Sequence, residues 1–170
     1  MSREHDMTQP HHVTVGYAGT PGARTFYLQF EDDADRITLR IEKVQVAGIA
    51  DLLSGLLADQ DNRPATDWDR TAMALRAPIE PAWQVGDIGV GIDEATGQYV
   101  LELHRLTRDA DDPADVLRVA IDVDQARRFV AHAVEQVGEG RRACPLCGRP
   151  MASDGSHVCP STNGHGTLTQ

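Results

Sequence analysis

Three cysteines fall in one short stretch: Cys144-Pro145-Leu146-Cys147-Gly148, then His157-Val158-Cys159-Pro160. Two thiolates separated by two residues reach one ion from a tight turn. Pro145 fixes φ in that turn and Gly148 permits φ > 0. Three thiolates and one imidazole form a closed tetrahedral set, the pattern of structural zinc. Soft thiolates disfavour magnesium and calcium. The expected ligands are Cys144, Cys147, His157 and Cys159. His157 and Cys159 are two apart, so on an extended strand they share a face. His165 is the alternative fourth ligand, because Cys159-x5-His165 also closes a loop. A disulfide leaves one of three cysteines over, and with no visible signal peptide an oxidising compartment is not expected.

Other titratable residues are weaker candidates. Glu102 and His104 share a strand face and could act as an acid–base pair, although a solvated face explains them as well. Asp67, Asp69 and Arg70 flank Trp68 and could line a pocket; the competing reading is a charged loop around one buried indole. Asp109, Asp111, Asp112 and Asp115 lack the spacing and closing Glu of a calcium loop, so they read as a solvated turn. His5, His11 and His12 lie in or near a polar start and read as incidental, and His132 reads as a packed or surface histidine. Gly86, Gly89 and Gly91 lack the strand–helix context of a nucleotide loop and suit a bulge or close packing. No catalytic residues emerge.

The elements that hold these residues follow from composition and pattern. The chain has 170 residues and a net charge of −10, which opposes general attraction to nucleic-acid phosphates. Only Asp154 offsets Arg141, Arg142 and Arg149 in residues 141–170, so the tail alone is basic. Apolar residues make up 41% but aromatics only 5%, so the core must rest on Val, Ile, Leu and Ala. No apolar run reaches the length of a membrane span, and a cytoplasmic location is expected.

Val13, Val15 and Tyr17 alternate, as do Phe26, Leu28 and Phe30, then Ile37, Leu39 and Ile41. Each run predicts a half-buried strand. Val46, Ile49, Leu52, Leu53, Leu56 and Leu57 predict a helix. The order then repeats. Ile88, Val90 and Ile92, then Tyr99, Leu101 and Leu103, then Leu117, Val119 and Ile121 predict three strands. Asp122 and Gln125 form a capping box for a second helix through Phe129 and Val137. The fold expected is α+β: a duplicated β-β-β-α unit of about six mainly antiparallel strands with two packed helices, related by a pseudo-two-fold, plus a small C-terminal zinc knuckle. Residues 1–11 read as a flexible start and 12–137 as the domain, with halves at about 12–60 and 84–137. Residues 138–143 read as a hinge, 144–165 as the knuckle and 166–170 as a disordered end. The long connection from Asp61 to Gln84, with Trp68, is expected to hold a short helix over 66–75.

The tail, with Cys-Pro-Leu-Cys-Gly, His157-Val158-Cys159-Pro160 and Asn163-Gly164-His165, resembles the C-terminal signature of an actinobacterial family of proteins of unknown function. That resemblance implies actinobacterial origin, a cytoplasmic protein and a zinc knuckle through Cys144, Cys147, His157 and Cys159. It supplies no catalytic residues. Ser156 separates Gly155 from His157, where the pattern sets them adjacent, so His165 stays open. The leading reading is a non-catalytic protein-binding or regulatory module with one structural zinc. An enzyme or small-ligand site between the repeats is the alternative, with nucleic-acid binding through the basic knuckle third.

Overall fold

The computed structural model describes residues 3–60, 68–109, 112–139 and 144–146, with the backbone of 157–158 and 167–168. The strands and helices in chain order are β1 (Glu4–Met7), β2 (His12–Ala18), β3 (Thr25–Glu31), β4 (Arg36–Ile41), α1 (Lys43–Gln60), β5 (Trp83–Ile92), β6 (Tyr99–Arg105), β7 (Val116–Ile121), α2 (Val123–Gly138), β8 (His157–Val158) and β9 (Thr167–Leu168). Seven strands form one sheet in the order β1-β7-β6-β5-β4-β3-β2. Two pairings, β1 with β7 and β4 with β5, are parallel; the rest of that sheet is antiparallel. The architecture is α+β, and every alternating run of the sequence lies in a strand.

Three features differ from expectation. Glu4–Met7 were read as part of a flexible start, yet they pair with Val116–Val119, and Met7 is fully buried. One apolar residue in four left no period to read. Residues 66–75 were read as a short helix. From Trp68 onward they hold one turn, closed by Met73 N–H donating to the Asp69 carbonyl at 3.0 Å. Thr167–Leu168, within the stretch read as disordered, pair with His157–Val158. Because β4 and β5 are parallel, the three-strand units β2-β3-β4 and β5-β6-β7 run the same way across the sheet. Their helices pack on each other over a shared core.

The helices start where their caps dictate. Asp122 accepts from Gln125 N–H at 2.8 Å and Gln125 returns a bond from Asp122 N–H at 3.0 Å, the reciprocal pair that satisfies two orphan donors. Gln45 caps Glu42 N–H in the same way at 3.0 Å and also donates to the Gly86 carbonyl at 2.8 Å, tying α1 to β5. At the bulge between Val85 and Ile88, a Cβ on Gly86 would meet Leu106 Cα at 2.9 Å, so only glycine fits.

The sheet must curl. Seven strands have six gaps of roughly 4.8 Å, about 29 Å from edge to edge if flat. Its edge strands, β1 and β2, are joined only by residues 8–11. Five chain steps reach about 18 Å at most. Curling encloses one core, in which Leu28, Phe30, Leu39, Leu101, Leu103 and Val119 meet Ile49, Leu53 and Phe129. Each such side chain contributes roughly 1.5–3 kcal/mol on burial.

Candidate functional site

The helix-free face of β2, β3 and β4 carries Thr14, Gln29 and Thr38, all polar and all buried. Their burial has one cause: residues 68–82 cross this face as a strap. Thr14 Oγ1 donates to the Met73 carbonyl. Leu75 covers Gly16, where a Cβ would lie 2.7 Å from Leu75 Cγ. The Gln29 amide donates to the Arg76 carbonyl at 2.9 Å and accepts from Arg76 N–H at 2.8 Å. Arg36 donates to the Ala77 carbonyl at 3.0 Å, and Ala82 N–H to the Thr38 carbonyl at 2.8 Å. On the α2 side, Arg70 bonds Glu135 at 2.7 Å and lies 5.2 Å from the Trp68 ring.

Where the strap meets β2 and α2 it leaves a cleft of about 370 Å³, lined by His12, Trp68, Asp69, Met73, Arg76 and Arg128 among others. Its polar groups are unevenly satisfied. His12 is 4% exposed, and among the described residues neither its Nε2 nor the buried Trp68 Nε1 has a partner. Burial first, then the Arg76 charge, lowers the His12 pKa, so the ring is neutral near neutral pH. Arg76 lies 3.1 Å from Glu31, which Arg36 also bonds at 2.7 Å. The Arg36 hydrogen bond is the main reason the Glu31 carboxyl is held down at about 2. Arg128 is exposed on α2 and engages no other described residue. Asp69 is committed through Oδ1 to Thr71 N–H at 2.8 Å.

A second cleft of about 500 Å³ lies on the other side of Met73, lined by Tyr17, Arg70, Leu75, His132 and Glu135. His132 is buried on α2, where it lines this cleft together with residues of β2. At the end of α2, Tyr17 donates to Glu139 at 2.5 Å, and Arg24 donates to the Glu139 carbonyl at 2.6 Å.

The sequence-derived candidates separate. Glu102 and His104 do meet, at 2.8 Å, on the bare face of β6, half exposed. Trp68, Asp69 and Arg70 do line clefts, while Asp67 lies outside the described residues. Asp115 pairs with Arg105 and accepts from Arg3 N–H at 2.9 Å, a structural use. Three cleft residues were missed: His12, Arg76 and Arg128. His12 shares strand parity with Thr14 and Gly16, and that was the available signal. Of the expected metal ligands, Cys144 is described and buried. His157 is placed by its backbone alone, opposite Leu168. Cys147, Cys159 and His165 lie outside the described residues, and among those described no group of three or more His, Cys, Asp or Glu could hold a metal.

Residues 5–159 match the family model described as Protein of unknown function (DUF3090). The chain belongs to that family. No curated protein and no solved structure matches it. The DUF3090 span contains the whole strap and cleft, together with Cys144, Cys147, His157 and Cys159, and ends before His165. No described helix is long and apolar enough to cross a membrane.

Proposed function

We propose that this DUF3090 protein binds a small ligand in the cleft between the strap, β2 and α2, and that a structural zinc holds its tail. The observation that carries the ligand reading is a cleft whose wall holds an arginine with unused donors: Arg128 lines it and engages no other described residue. Arg76, His12 and Trp68 line the same cleft. A guanidinium offers five N–H donors, and a ligand that accepts from them meets capacity that the described residues leave unspent.

The zinc reading rests on the sequence spacing and on the family span, which takes in His157 but not His165. Cys144, Cys147, His157 and Cys159 would then form the closed set.

The ligand reading is tested by a fragment screen that follows the indole N–H of Trp68 by NMR, with Trp83→Phe to assign it. Compounds that shift it in the wild type should not do so in Ala72→Trp, which fills the cleft. If no class of compound shifts it, the reading falls.

A further inference from the structure

We propose that the cleft ligand is a small organic oxyanion, a carboxylate or a phosphate monoester, held by Arg128 and Arg76 beside the Trp68 ring. This rests on the ligand reading above and goes on to name the chemistry. The unmet capacity of the cleft is donor capacity. An arginine offers five N–H donors and no acceptor, and Arg128 spends none of them on a described residue. Arg76 spends part of its fork on Glu31 at 3.1 Å.

Charge points the same way. Within the described lining Arg76 and Arg128 meet one carboxylate, Asp69, which already accepts from Thr71; Glu31, which is not in that lining, is shared between Arg76 and Arg36. This cationic lining sits in a chain of net charge −10, so it is a local exception to the field of the molecule. Planar guanidinium groups match the paired oxygens of carboxylates and phosphates. At about 370 Å³ the cleft is at the small end of ligand sites, which suits a compact anion. The strap holds this lining in place before a ligand arrives: Arg76 through both backbone groups to Gln29, Trp68 through Arg70 to Glu135.

The test uses the full chain and reads the Trp68 indole resonance during titration with inorganic phosphate, acetate and benzoate, each against sodium chloride at equal ionic strength. A phosphate or carboxylate response that saturates, and that weakens tenfold or more in Arg128→Gln, supports the proposal. Stronger response to phosphate identifies the ester source; stronger response to the carboxylates identifies the acid. Saturable binding that Arg128→Gln leaves unchanged overturns the proposal, as does a shift that chloride reproduces. Binding by neutral or cationic fragments alone, with loss in Ala72→Trp, overturns it while leaving the ligand reading intact. Silence from every fragment class removes both. Arg128 is exposed, so its substitution leaves the fold in place for the measurement.

Discussion

His12 and His132 are each only 4% exposed, and burial is the leading cause lowering both pKa values. Arg76 adds to the shift at His12, while Glu31 opposes it. At His132 the Val15 backbone and Glu135 oppose it. Both rings therefore bind protons more weakly in the folded chain. Below their ordinary value of 6.5 the unfolded chain takes up protons that the folded chain refuses. Stability is thus level above that value and falls as pH drops, by up to about 1.4 kcal/mol per unit for each ring. Urea unfolding from about pH 8 to about pH 5 should show this slope, and His12→Gln with His132→Gln should flatten it. Gln29 is the other decisive residue. Replacing it by Leu leaves Thr38 and the Arg76 peptide without their partner and should cost about 1–3 kcal/mol, measured by the same unfolding. It should also loosen the strap, detected as faster amide exchange at Arg76. None of this was legible locally. Alternation identified the core face, Val13, Val15, Phe26 and Leu28. It marked the other face polar, and polar read as solvent. Thr14 and Gln29 are buried because residues 68–82 return over them, a long-range event with no local pattern.

At the scale of elements, the sequence was readable where a short-range rule decides. The Asp122–Gln125 box was legible because its partners are three residues apart, and six strands because a period of two survives wherever one face is buried. β1 escaped because its four residues carry one core side chain, and the strap because single contacts at Thr14, Gly16 and Gln29 position it. Helix α1 raises a different question. It contains Gly48 and Gly55, and an added Cβ at either would meet nothing within 4 Å. Glycine inside a helix costs roughly 0.5–1 kcal/mol relative to alanine. Gly48→Ala and Gly55→Ala should each raise stability by about that amount, and the two should add, since neither touches a shared neighbour. Thermal melts of the single and double variants check this. A loss of stability at either site would mean that α1 packs against something beyond the described chain, where Val44 and Leu52 also lie exposed.

For the whole molecule, the question is whether body and tail share one stability. The hydrophobic core runs from Met7 to Ala133 and takes in Val137 only at its margin. Cys144 is buried but is not part of that core. The end of α2 is fixed to the β2–β3 hairpin by Tyr17 and Arg24 through Glu139, so the body is closed before residue 140. A short polar tail such as residues 144–165 has too little apolar surface to order itself, and metal binding would supply that free energy. The proposed zinc should therefore hold the tail without holding the body. Metal analysis should find close to one zinc per chain, lost in Cys147→Ser. Removing the metal should abolish amide protection at Val158 and Thr167, which pair across β8 and β9. The melting midpoint of the body should move by no more than about 1–2 °C, the equivalent of a surface change of about 0.5 kcal/mol in a chain of this size. If chelation instead unfolds body and tail together, the burial of Cys144 is a joint between them, and the proposed zinc stabilises the body itself.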